Sequence, residues 1–237
     1  MIAQPIRETV SLIRQRIPNA SLAGLLKIFP ATILIVALVV TIQLATNGHT
    51  AAEQLPLLDR FGFDWDYLVG GRWWNLFTGT LVQSKPGYHY SMVLVVVSAV
   101  GILELVAGSR WTLAVFFVGD WVSSFLGIIL LRILSGVGFA EATPLLSFPD
   151  AGTSGAAHVC YAVAATLFPR RMAFFLYGLI LGVTIILLFS QQLSAAVTHL
   201  CAILSGGAFG WFYLRPRIYG EETSEDASEH EIENVLQ

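Results

Sequence analysis

Charge is what this sequence has least of. Only 12% of its 237 residues are Asp, Glu, Lys or Arg, against 55% hydrophobic ones, and the mean hydropathy is +0.70. A soluble globule carries about twice that share of charge, so a water-covered surface is excluded and the chain belongs in a bilayer. Cysteine is nearly missing too. Cys160 and Cys201 both fall inside apolar runs and read as small packing residues, not as a disulfide framework. There is no Walker loop, no dinucleotide fingerprint and no basic patch for nucleic acid. No HExxH occurs, and His158, His199, Cys160 and Cys201 have no standard metal-ligand spacing, so neither metal nor cofactor is expected. Residues 1–27 lack the apolar core and small-residue cleavage site of a secretion signal.

What the sequence has is long apolar runs. Six of them, at 28–45, 90–106, 111–131, 153–168, 172–189 and 193–214, approach the roughly 20 residues that cross ~30 Å of hydrocarbon. Helices are the expected spanning form, because open strands leave backbone groups unsatisfied in lipid. The expected fold is therefore all-α, a six-helix membrane domain over residues 28–217. Ahead of it, Ile6, Val10, Ile13 and Ile17 recur at helical spacing beside Arg7, Arg14 and Arg16, which predicts an amphipathic cytoplasmic segment at 1–27 lying on the membrane. Behind it, residues 218–237 are acidic and without tryptophan or phenylalanine, as in a disordered cytoplasmic tail.

Orientation follows from the 13 Lys and Arg residues. Nine of them (Arg7, Arg14, Arg16, Lys27, Arg110, Arg170, Arg171, Arg215 and Arg217) fall on one side of a six-span layout, and Arg60, Arg72, Lys85 and Arg132 on the other. The positive-inside rule then puts both termini in the cytoplasm and the 46–88 loop outside, in a multi-pass protein of the plasma (inner) membrane. The Asn19-Ala20-Ser21 sequon falls on the cytoplasmic side and should be silent. Trp65, Tyr67, Trp73 and Trp74 in the outer loop suit a membrane interface.

Two residues in this layout carry chemistry. Span four starts from the outer face with "GTSG", so Ser154 lies in its first turn. Span six starts there too, and His199, six residues after Leu193, lies roughly 9 Å deep at 1.5 Å per residue. A hydroxyl is a weak nucleophile until an imidazole takes its proton, so Ser and His at matched depth are the minimum for acyl transfer. Gly152 and Gly155 allow a tight approach of chain and helix, and the N-terminus of span four can offer N–H groups to a developing oxyanion. Asp120, mid-span in the third run, is expected to be neutral or bonded to His158, Ser123 or Ser124, and Glu104 to have a structural role near Arg110.

From Gly71 to Trp211 the chain resembles the rhomboid family of intramembrane serine proteases. The resemblance lies in "GRWWNLFTGTLV", in "HYSMVLVVVSAVGILELVAGSRW", in "GTSG", and in "THLCAILSGGAFG" with glycines seven and eleven residues after the histidine. It implies a rhomboid fold with a partly embedded first loop. Ser154 would be the nucleophile and His199 its base, with no acidic third member. His89 would assist the oxyanion, and Gly206 and Gly210 would pack span six on span four. It also implies peptide-bond hydrolysis in single-span membrane proteins near the outer face of the bilayer. Three positions depart from the family. Val93 stands where an oxyanion asparagine follows the histidine by four residues. Asn75 stands where an arginine follows a tryptophan, with Arg72 close enough to substitute. His158 replaces an aromatic that stacks on the catalytic histidine. These departures favour the alternative, a rhomboid-like pseudoprotease that binds transmembrane helices without cutting them. An outer hydrophilic cavity, capped by the 136–150 loop or gated by span five, is expected to admit water.

Overall fold

The computed structural model describes residues 22–46, 51–83, 89–188 and 193–219. The segment at 1–21, with the sequon, and the tail beyond 219 lie outside the described residues. Among the described residues the fold is all-α: α1 (Leu22–Ile28), α2 (Pro30–Ala45), α3 (Ala51–Phe61), α4 (Trp65–Val69), α5 (Asn75–Gly79), α6 (His89–Ala107), α7 (Ser109–Gly136), α8 (Ser154–Thr166), α9 (Arg170–Leu188) and α10 (Leu193–Phe209). Two 3₁₀ turns, Ala140–Ala142 and Pro144–Ser147, lie between α7 and α8. α10 runs on through a π-helical turn at Gly210–Leu214 and ends at Tyr219. Each of the six apolar runs is occupied by a helix. Two of those helices, Ser109–Gly136 and Leu193–Tyr219, are long and apolar enough to cross a membrane.

Local chemistry sets the helix boundaries. Pro30 at the first position of α2 has no N–H to lose, and Gly108, at φ +81°, breaks α6 from α7 with a conformation that disfavours side chains. Glu104 is 2% exposed and reaches the start of α2, where it accepts from Ala31 N and Thr32 N, each at 2.8 Å, and from Thr32 Oγ1 at 2.6 Å. The partner of Glu104 is therefore a helix N-terminus and not Arg110, because the free N–H groups and positive end of α2 already satisfy a carboxylate.

α8 is the axis of the bundle. It packs against α6, α7, α9 and α10, and its alanines, Gly155 and Cys160 are buried. Small residues let the neighbouring backbones come close. A Cβ on Gly119 of α7 would stand 2.5 Å from Val159 Cγ1, and one on Gly206 would stand 3.0 Å from Val159 O. Gly210, in the π-helical turn, meets Thr166 more closely still, so Gly206 and Gly210 both face α8, whereas Gly207 faces Tyr177 of α9. Cys160 and Cys201 are buried and free. The C-terminal end of α8 is closed by Arg215, whose Nη1 donates to Thr166 O and, at 2.8 Å, to Phe168 O, and by Tyr219, which donates to Leu167 O.

Candidate active site

The N-terminal end of α8 is built differently. Gly152 has φ +148°, donates to Gly79 O at 2.9 Å, and turns the chain sharply into the helix. Thr153 stands at the N-cap without capping through its side chain. Two main-chain bonds between Phe63 and Asp150, at 2.8 and 2.9 Å, fasten the incoming strand of chain to the first loop. Ser154 is thereby held at the first position of α8. From α10, His199 meets it with Nε2 3.0 Å from Ser154 Oγ. The structure thus brings the two residues together at hydrogen-bond distance.

His199 is 6% exposed, and its Nδ1 has no hydrogen-bond partner among the described residues. No carboxylate orients the ring. Its orientation comes from packing on His158, which stacks on it at 4.0 Å between centroids and 13° between planes. His158 is fixed in turn by Nδ1, 2.7 Å from Ser154 O. A carbonyl only accepts, so Nδ1 of His158 carries the proton in that bond. The resemblance implied an aromatic ring stacked at this position, and an imidazole stands there with one edge committed to the backbone.

The pair opens on a cavity of about 600 Å³ walled by the first loop, α6, α7 and the 145–152 segment. Leu145, Phe148 and Ala151 of the α7–α8 connection line it, and α9 contributes no wall residue among those described.

Several expectations are corrected here. Asp120 does not bond His158 or Ser124 but accepts from Thr80 Oγ1 at 2.6 Å, while Ser123 Oγ donates to the Asp120 main-chain oxygen at 2.9 Å. The reason is proximity to α8: a Cβ on Gly155 would lie 2.5 Å from Asp120 Oδ1, so only glycine lets the carboxylate sit against that helix. On α6 the cavity is faced by Met92 and Val95, whereas Val93 is not part of its wall. At 100° per residue Val93 is turned away from both Met92 and Val95. The side chain of His89 lies outside the described residues. Asn75 is buried with Nδ2 2.5 Å from Gly62 O, and Arg72 donates to Asp59 O and Arg60 O at 2.8 and 3.0 Å while lying 3.8 Å over the Tyr67 ring. Arg72 thus closes the end of α3, Thr78 Oγ1 takes Phe61 O at 3.1 Å, and Asn75 takes Gly62 O after it.

Gln83 and Thr153 were missed by sequence reasoning. Gln83 is 3% exposed, lines the cavity, and donates from Nε2 to Thr153 Oγ1 at 3.2 Å. The only signal was a buried-class amide after the apolar "TLV", which by itself points nowhere. None of the protein-family models, curated proteins or solved structures compared with this chain matches it.

Proposed function

We propose that the protein is a rhomboid-type intramembrane serine endopeptidase that hydrolyses peptide bonds of single-span membrane proteins near the outer face, using Ser154 and His199. The observation that carries this reading is the 3.0 Å contact between Ser154 Oγ and His199 Nε2 at the head of a buried helix, beside a cavity of mixed polar and apolar lining. The two residues are 45 apart in sequence and sit on different helices, and their contact is the hydroxyl–imidazole pair that acyl transfer needs.

The bilayer part of the reading rests on helix length and surface. The six helices on the six apolar runs carry exposed Leu94, Val118, Phe175 and Ile186 outward, as lipid-facing surfaces do, and Trp73 and Trp74, 53% and 54% exposed, suit the interface. α8 has 13 residues and so rises roughly 20 Å, short of the ~30 Å core. With its inner end level with its neighbours, Ser154 would stand about 10 Å below the outer surface, and the cavity above it would bring water to that depth.

The chemistry follows in balanced steps. As Ser154 Oγ bonds the scissile carbonyl carbon, its proton passes to His199 Nε2 and the carbonyl π pair moves onto oxygen. Collapse of that intermediate expels the amine, which takes the proton from His199. Water, deprotonated by the same imidazole, then releases the acid and frees Ser154. Neither metal nor cofactor enters any step.

The test is reaction of the purified full chain in phospholipid vesicles with a fluorophosphonate, together with cleavage of a transmembrane peptide. Labelling and cleavage that both vanish in Ser154→Ala support the endopeptidase. A wild-type chain that binds the peptide but neither cuts it nor labels supports the pseudoprotease instead. Cysteine-accessibility mapping checks the orientation: positions 170 and 217 should be cytoplasmic and position 65 outside, and the reverse would put Ser154 at the wrong face.

A further inference from the structure

This inference rests on the endopeptidase reading. Gly152 combines a φ of +148° with an empty place where a Cβ would be, and that point lies 3.7 Å from Ser154 Oγ, 4.0 Å from Ser154 N and 3.8 Å from Gln83 Oε1. A nucleophile, a helix-terminal N–H and a buried side-chain amide therefore surround one atom-sized space that glycine alone leaves open. The geometry points to Gln83 as the side-chain donor of the oxyanion hole: its amide, with the Ser154 N–H, meets the negative charge that develops on the scissile carbonyl oxygen.

Thr153 makes this possible. It accepts from Gln83 Nε2 at 3.2 Å and donates to Met92 Sδ at 3.5 Å. A hydroxyl both donates and accepts, so a half-turn of the amide puts Oε1 on Thr153, which now donates to it, and swings Nε2 toward the Gly152 space. Only the Thr153 contact with the Met92 thioether, a weak acceptor, is given up. Oxyanion donors work at about 2.7–3.1 Å, so the carbonyl oxygen has to settle about 1 Å closer than the empty point to Ser154 N and to the turned amide. Among the described residues, α6 faces the cavity with Met92 and Val95, neither of which carries an N–H or O–H on its side chain. Gln83 neither gains nor loses a proton during acyl transfer. Its contribution belongs to the charge that appears on oxygen when the π pair moves, so it acts on kcat and not on KM.

The experiment uses the full chain in phospholipid vesicles, a transmembrane peptide with a fluorophore pair across the cleavage site, and a peptide aldehyde that forms a tetrahedral adduct with serine. Gln83→Ala should lower kcat about 10²-fold, leave KM within about 2-fold, and weaken the aldehyde by a factor similar to the loss in kcat. Gln83→Met, apolar and of nearly the same volume, should give the same loss, and it decides the matter if thermal unfolding finds Gln83→Ala loosened. A wild-type chain that cuts while the well-folded variant stays within about 3-fold in kcat, or loses activity in KM alone, would overturn the role of Gln83 and leave the endopeptidase standing. A wild-type chain that neither cuts nor labels at Ser154 sinks the endopeptidase reading and this inference with it.

Discussion

Two helix N-termini in this molecule receive opposite treatment. At the start of α2, a buried carboxylate takes two backbone N–H groups and a threonine hydroxyl, all within 2.8 Å. At the start of α8 no side chain caps the helix, and the first residue, Ser154, faces a cavity with His199 at its hydroxyl. The physical demand is the same in both places, because every helix begins with N–H groups that lack internal partners. One site closes that demand with its own chain, as a structural joint does. The other leaves it open beside polar side chains, which suits a substrate group of transient negative charge. The C-terminal end of the same α8 repeats the closed solution, with Arg215 and Tyr219 on its last carbonyls.

That contrast can be broken by substitution. The largest effect should come from the open end: Ser154→Ala or His199→Ala should each reduce peptide cleavage by more than about 10³-fold in vesicles while thermal unfolding stays near wild type, since neither side chain caps a helix. Next, Gly152→Ala should reduce cleavage about 10²-fold, because a Cβ there would occupy the space beside Ser154 N at a φ of +148° that alanine rarely adopts. The closed end should behave inversely. Glu104→Ala strands the Ala31 and Thr32 donors in a buried place and should cost about 2–3 kcal/mol of stability, measured as a lower denaturation midpoint, with kcat at permissive temperature nearly unchanged. The smallest change should follow His158→Phe, which keeps a ring against His199 but gives up the bond to Ser154 O: cleavage within about 10-fold of wild type, against a greater loss for His158→Ala. A large loss in His158→Phe would show that His158 acts through its nitrogen and not its face.

The amino-acid sequence by itself determined where the helices form, because long apolar runs bounded by Gly, Pro and charge satisfy their backbone internally as helices. Rise per residue also put Ser154 and His199 near the starts of their two runs, and Gly206 and Gly210 marked the face of the last run that packs on α8. Tertiary structure alone decided which polar groups meet. Asp120 pairs with Thr80, 40 residues away, and Gln83 reaches Thr153, 70 residues away, because the first loop folds back over the head of α8. Met92 rather than Val93 faces the cavity because the rotation of α6 about its axis is set by packing against α2 and α8. Periodicity along a chain fixes which side of a helix is apolar, but contacts across a bundle depend on how helices and loops lock together, and no local pattern encodes that register.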